Sequence, residues 1–371
     1  GSQDIPSGMV PYSLLGDLSP LEAEEAELEE NIRRKDLTWQ ERAAATHRLA
    51  RLRAAQAAER GLPPPTTAQL SEEIRGRGDQ YYGAETHKEL MVAQHLDKPT
   101  VRGAKSIDDA VKILKREEGL ERNRMLAASV GRSFTAETHR ALNLDSLAWL
   151  TGCMGESFDV ILTDPPYGMN ADEFSDAGGI GGVVGAHTYT DDEESFTRTL
   201  SICQTELFRV AKAEAHLYWF CDIDQFHNCK LAFSAGGWWV HRTPLIWYKP
   251  GSSRVPWPQH GPQRKYELIL YAVKGKRMVT GIFPDVITCN PDANLGHHAQ
   301  KPVALFLDLL RRSVRPGDTV LDPFAGTGTI FPAAHELKCR ATGIERDSVS
   351  FGIALGRIKV LAAQKELEEL L

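Results

Sequence analysis

From about residue 134 onward the chain alternates short apolar runs with longer amphipathic stretches. Runs of strand length, rich in β-branched and aromatic residues, lie at 158–163, 215–221, 239–247, 266–273, 319–322 and 340–344. Helical periodicity covers 192–212, 224–235, 301–314, 329–338 and 347–369. Strands alternating with helices predict an α/β fold on a doubly wound, mainly parallel sheet. The upstream texture differs. Helix formers dominate 20–60, with six glutamates from Glu22 to Glu30 and then an Arg/Ala/Leu-rich stretch. Thr38 and Glu41 are spaced as a capping box. Gly61-Leu62-Pro63-Pro64-Pro65 ends that helix and makes a stiff spacer, and 66–130 reads as several short helices ending near Gly131. The expected organisation is a helical N-terminal region, 1–135, followed by an α/β domain, 136–371.

Composition changes this picture little. Apolar content of 42% and charged content of 25% are ordinary for a globular protein. There is no run of 18 apolar residues and no basic-then-apolar leader, so no membrane association and a cytoplasmic location are expected. Gly1-Ser2 reads as a cloning scar, which leaves room for natural sequence upstream. The six cysteines are scattered without a CxxC pair, and His297-His298 has no cysteine or carboxylate at ligand spacing. Reduced thiols and no metal are expected.

Charge is more informative. The net charge is −7, yet residues 238–281 hold eight Lys/Arg against one acid, Glu267. A basic stripe on an acidic body suits one polyanion-binding face, and a solvated surface hairpin is the alternative.

Two segments carry the candidate chemistry. Asp164-Pro165-Pro166-Tyr167-Gly168 follows the apolar run 158–163, and Asp322-Pro323-Phe324-Ala325-Gly326-Thr327-Gly328-Thr329 follows Thr319-Val320-Leu321. Each is a buried-strand pattern ending in an acid and a turn, the edge where parallel α/β sheets build their sites. Gly326 and Gly328, between strand and helix, permit a tight turn and close approach of the backbone to a ligand. About twenty residues on, a second strand ends at Glu345, placed to accept from ribose hydroxyls. A dinucleotide site fits less well, because the GxGxxG fingerprint is incomplete.

Together these segments resemble the DNA amino-methyltransferases that use S-adenosylmethionine (SAM), in the β-type order with DPPY before the glycine-rich motif. The resemblance covers about 138–360. It implies a Rossmann-like SAM-dependent methyltransferase domain and SAM as cofactor. The cofactor would lie against Asp322, Pro323, Phe324, Ala325, Gly326, Thr327, Gly328 and Glu345, with Lys301 of Gln300-Lys301-Pro302 near the methionine part and Asp145 near the adenine.

The resemblance also assigns the catalytic segment. An exocyclic amine is a poor nucleophile because its lone pair is delocalised. The Asp164 side chain and the Pro165 carbonyl would accept its hydrogens, on a backbone that Pro165 and Pro166 hold rigid. Tyr167 would stack on a base extruded from the duplex. Aspartate in first position favours adenine N6 over cytosine N4, where serine is common. The glycine-rich stretch 178–185 is expected as a lid or a passive loop.

DNA is the expected partner, contacted by Arg254, Trp257, Arg264 and Lys265 in the Pro/Gly-rich loop 250–265. Trp239 and Trp247 are expected in the core, and Glu267 in a structural role. Members of such a group often pair as dimers, a purpose the N-terminal helices could serve. The segment 27–38 resembles the region after the core of ParB-type partition proteins, with a helix-turn-helix opening at Thr67. Cytosine-N4 or RNA methylation, and a non-catalytic DNA-binding factor on the same fold, remain open alternatives.

Overall fold

The computed structural model describes residues 28, 37–76, 78–136, 138–166, 193–251, 265–291 and 300–369, without the side chains of 193 and 365–369. The chain divides into two compact units, residues 1–119 and 120–371. Among the described residues no helix is long and apolar enough to cross a membrane.

The first unit is helical: α1 (Trp39–Glu59), α2 (Thr67–Arg75), α3 (Gln80–Ala93), the short α4 (Pro99–Arg102) and the start of α5 (Ile107–Val130). Thr38 caps α1 as its spacing predicts, Glu41 N donating to Thr38 Oγ1 at 3.2 Å and Thr38 N to Glu41 Oε2 at 2.9 Å. Thr66 and Gln69 repeat the box on α2, which ends at Gly76 in the left-handed region, φ 69°. Only glycine takes that conformation without steric penalty. A buried carboxylate links α1, α2 and α3: Glu89 accepts from Thr46 Oγ1 at 2.9 Å and from Arg75 Nη2 at 2.5 Å.

The second unit is one sheet of the strands β1 (Ser133–Ala136), β2 (His139–Leu142), β3 (Phe158–Thr163), β4 (Ala211–Cys221), β5 (Trp239–Val240), β6 (Leu245–Tyr248), β7 (Tyr266–Lys274), β8 (Val286–Thr288), β9 (Thr319–Asp322) and β10 (Arg340–Ile344). Its order is β1-β2-β10-β9-β3-β4-β7-β6-β8, with β5 on β7. The five strands β2, β10, β9, β3 and β4 run parallel, and β7 lies antiparallel to β4. This is the doubly wound, mainly parallel sheet that the alternating pattern predicts.

The period-two alternation of the strands splits the core into two layers. On one face Val160, Leu162, Tyr218, Phe220, Ile269 and Val320 pack under α9 (Val303–Arg311), α10 (Ile330–Glu336) and α11 (Ser348–Glu369). On the other, Ile161, Leu217, Trp219, Leu270 and Leu321 meet α6 (Ser146–Gly152), α7 (Glu193–Val210) and α8 (Ile223–Ala235).

Differences from the expected elements have local causes. The single strand predicted over 239–247 is two, because Pro244 has no N–H for the ladder. β1, β2 and β8 are three or four residues long and lack the apolar run ending in an acid and a turn that marks the equally short β9. Trp239 is not in the core. It is 62% exposed, and its neighbour Trp238 is buried instead, because β5 is a two-residue edge pairing.

Candidate active site

Winding direction reverses between β9 and β3: the chain steps from β3 outward to β4 on one side and from β9 outward to β10 on the other. Clefts open at the carboxyl ends of strands at such a point. β3 and β9 pair in parallel through Val160 with Val320 and Ile161 with Leu321, so Thr163 and Asp322 finish side by side. Thr163 Oγ1 donates to Asp322 Oδ1 at 2.7 Å. The two segments singled out by sequence thus meet at one sheet edge, although more than 150 residues separate them.

Asp322 is the most perturbed acid there. It is 2% exposed, and burial, with Asp164 and Glu345 as like charges, pushes its carboxyl up to about 7 despite the hydrogen bonds from Thr163 and Phe324 N. Beyond it the chain turns through Gly326 (φ 51°) and Gly328 (φ 78°) into α10. These play different parts. A Cβ on Gly328 would lie 2.7 Å from Ala354 Cβ and 2.8 Å from Phe331 Cδ2, so that glycine admits helix packing. Among the described residues a Cβ on Gly326 would meet nothing within 4 Å, so that glycine borders space they leave open.

Glu345, at the end of β10, is buried and accepts from Gly326 N at 2.9 Å and Asp347 N at 2.7 Å. Asn143 Nδ2 donates to the Glu345 carbonyl at 2.8 Å, tying the ends of β2 and β10. Phe324 is half-buried, its ring 6.5 Å from that of Trp219 and edge-on. Pro323 and Ala325 are buried, and Ser146 Oγ donates to the Pro323 carbonyl. Thr327 is buried, 3.3 Å from Gln300 Oε1.

The catalytic segment leaves β3 at Asp164, half-buried, followed by buried Pro165 and half-buried Pro166. Asp164 Oδ2 accepts from Lys301 Nζ at 2.5 Å. Lys301 Nζ also lies 3.2 Å from Glu267 Oε2, and the other oxygen of Glu267 accepts from Lys249 Nζ. Acids and bases alternate along this chain of four. Burial pulls the Lys301 ammonium down, but Asp164 and Glu267 together hold it above its ordinary value. Burial likewise raises Glu267, and Lys301 and Lys249 outweigh it to hold the carboxylate low.

A family model described as DNA methylase (N6_N4_Mtase) matches residues 158–291 and 279–354, more than half the chain and both segments of the site. The chain belongs to this DNA methylase family. The methylase is 25% identical over 265 residues to the type II methyltransferase M.HinfI of Haemophilus influenzae, covering 61% of this chain and 70% of that protein. It is 28% identical over 192 residues to the putative methylase YubD of Escherichia coli strain K12, covering 52% and 77%. Among solved structures it is similar to PvuII DNA methyltransferase (cytosine-N4-specific), with 14% identity, TM-score 0.47, and 62% and 93% of the two chains covered. The methylase is a DNA amino-methyltransferase.

Three further expected residues of the methylase are described, each with a partner of its own. Asp145 caps α6, its Oδ1 accepting from Ala148 N at 2.9 Å. Lys301, expected beside the cofactor, has its ammonium on Asp164. Lys265 donates to the Pro250 carbonyl at 3.1 Å. Tyr167, the 178–185 stretch, Arg254, Trp257, Arg264 and His297-His298 lie outside the described residues.

Among the described residues of the basic stripe, three bases turn inward. Lys249 pairs with Glu267, Lys274 donates to the carbonyls of Phe208 and Ala211, and Arg277 turns toward Asp159 and Asp318. Charge counted along sequence does not register side chains that fold inward. Sequence reasoning missed Lys249 as a site element. Its signal was Glu267, the lone acid in a basic stretch, which needs bases around it once buried.

Proposed function

We propose that the methylase transfers a methyl group from SAM to the exocyclic N6 of adenine in DNA, on a base flipped out of the duplex. The observation that supports this is the Thr163–Asp322 contact, by which the DPP segment and the glycine-rich turn leave the same edge of the sheet.

The residues present fit the cofactor. Asp322, Asp164 and Glu345 gather at a buried edge, and a cationic ligand there would offset the burial and like charges that disfavour the ionised Asp322. Gly326 offers backbone with open space where a side chain would otherwise stand. Asp322, Phe324, the 325–328 backbone and Glu345 would hold SAM, which when bound supplies an electrophilic methyl on a sulfonium. Asp164 and the Pro165 carbonyl accept the hydrogens of the target amine and draw its nitrogen toward the geometry of attack. The two prolines hold that carbonyl in place beforehand, so little ordering remains at reaction. Tyr167 stacks on the extruded base. Asp rather than Ser ahead of Pro165 supports adenine as the base. In the first unit, the succession α2, Gly76, α3 has helix-turn-helix order and supports an arm that contacts DNA or a second copy.

Nucleoside digestion and mass analysis of unmodified DNA after incubation with labelled SAM tests this. N6-methyladenine is expected. N4-methylcytosine would reject the base assignment, and no incorporation on any DNA would reject the activity.

A further inference from the structure

Behind Asp164 the chain of charges continues inward. Lys301 is 8% exposed, so its ammonium has lost nearly all its water, and its Nζ stands 5.2 Å over the ring centroid of Phe220. A buried ammonium persists only where anions replace that water, and Asp164 and Glu267 do so from β3 and β7. Lys249, just after β6, grips Glu267 from the other side. The Lys301 backbone is also held, its carbonyl accepting from Thr329 Oγ1 at 3.1 Å across the glycine-rich turn. Four separate elements therefore fix one ammonium against one carboxylate oxygen.

We propose that Lys301 is a positioning residue for methyl transfer. It holds Oδ2 of Asp164 so that the carboxylate presents a single orientation to the target amine, and Glu267 and Lys249 lock the ammonium from behind. This rests on the role given to Asp164 above. Long, flexible lysine is a poor orienter by itself, since it has four rotatable bonds to order. With Glu267, the Phe220 ring and the pinned backbone around it, that freedom is already gone before DNA arrives. A lysine acting on the cofactor would govern SAM affinity. A lysine acting through Asp164 governs the rate at saturating SAM.

The test compares the full chain with Lys301→Met, Lys301→Arg, Glu267→Gln and Asp164→Ala. Single-turnover methyl transfer is followed on unmodified random-sequence DNA at saturating labelled SAM, and SAM affinity by calorimetry. Lys301→Met is expected to slow transfer roughly 10- to 100-fold, as a small misplacement of a reacting group does, with SAM affinity changed less than about threefold. Lys301→Arg is expected to recover part of the rate by donating to the same oxygen. Where Lys301→Met melts below the assay temperature, Glu267→Gln serves, with a fall of roughly three- to tenfold and unchanged SAM affinity. An unaltered rate in the methionine variant, or a loss confined to SAM affinity, would overturn the proposal. Full activity in Asp164→Ala would instead reject the function on which it rests, whatever Lys301 does.

Discussion

Thr163 Oγ1 and Asp322 Oδ1 are 2.7 Å apart, joined by a hydrogen bond between the last residues of two neighbouring parallel strands. Thr163 immediately precedes the acid proposed to receive the target amine, and Asp322 opens the turn proposed to hold the cofactor. A hydroxyl at the end of β3 thus sets the spacing of the two halves of the site. Thr163 is fully buried, so the donor has no water to fall back on.

Thr163→Val keeps the shape and removes that donor. Leaving Asp322 with one hydrogen-bond donor fewer in a buried position is expected to cost about 1–3 kcal/mol of stability. Denaturant melts measure it. A variant as stable as the parent would show that the bond contributes nothing net.

Asp322 and His216 make opposite contributions to the pH dependence of stability. The Asp322 carboxyl, about 7 when folded, stands above its ordinary 3.8, so its stabilising contribution is complete below about pH 4 and is lost as pH rises through 7. His216 is buried between Ser313 Oγ and the Arg277 carbonyl, and burial holds it down to about 4 against an ordinary 6.5. Its contribution is complete above 6.5 and fades as pH falls toward 4. The two overlap and partly cancel. Asp322→Asn is expected to melt higher than the parent at pH 8 and to show a steeper loss on acidification. Parallel melting curves from pH 4 to 8 would refute this.

The two glycines of the turn separate packing from ligand space. Gly328→Ala must fit a Cβ 2.7 Å from Ala354 Cβ at a positive φ, and is expected to destabilise by about 2–4 kcal/mol. Gly326→Ala meets no neighbour among the described residues and carries the left-handed penalty, about 1–2 kcal/mol. Its larger effect is expected on SAM affinity, measured by calorimetry. Equal SAM affinity in Gly326→Ala and the parent would remove Gly326 from the cofactor site.

Asp164→Ala is expected to abolish methyl transfer while SAM binding survives; no strand pairing passes through Asp164, and the buried Lys301 ammonium keeps Glu267, so the variant is expected to fold with lowered stability. Radiolabel incorporation and calorimetry on the same preparation read both. Retained transfer would end the proposed mechanism.

In the helical unit, Glu89→Ala leaves Arg75 beside a cavity with its partner gone and takes the acceptor from Thr46. A loss of about 3–5 kcal/mol is expected, as when one member of a buried pair is removed. A thermal melt of the variant showing no change would mean that apolar contacts alone join α1, α2 and α3.

The amino-acid sequence by itself determined most of the elements and the two segments that end them. Apolar runs ending in acids at Asp164 and Asp322, glycines at 326 and 328, and a capping box at Thr38 each rest on a local rule, in which one residue and its near neighbours decide the outcome. Tertiary structure alone decided which of them meet. Strand order brought β3 beside β9, which no periodicity encodes, since pairing depends on contacts far apart in the chain. It also turned Lys249, Lys274 and Arg277 away from solvent and set Lys301 against Asp164. The worth of a charge depends on the water and counter-charges around it, and those are fixed only when distant segments close over it.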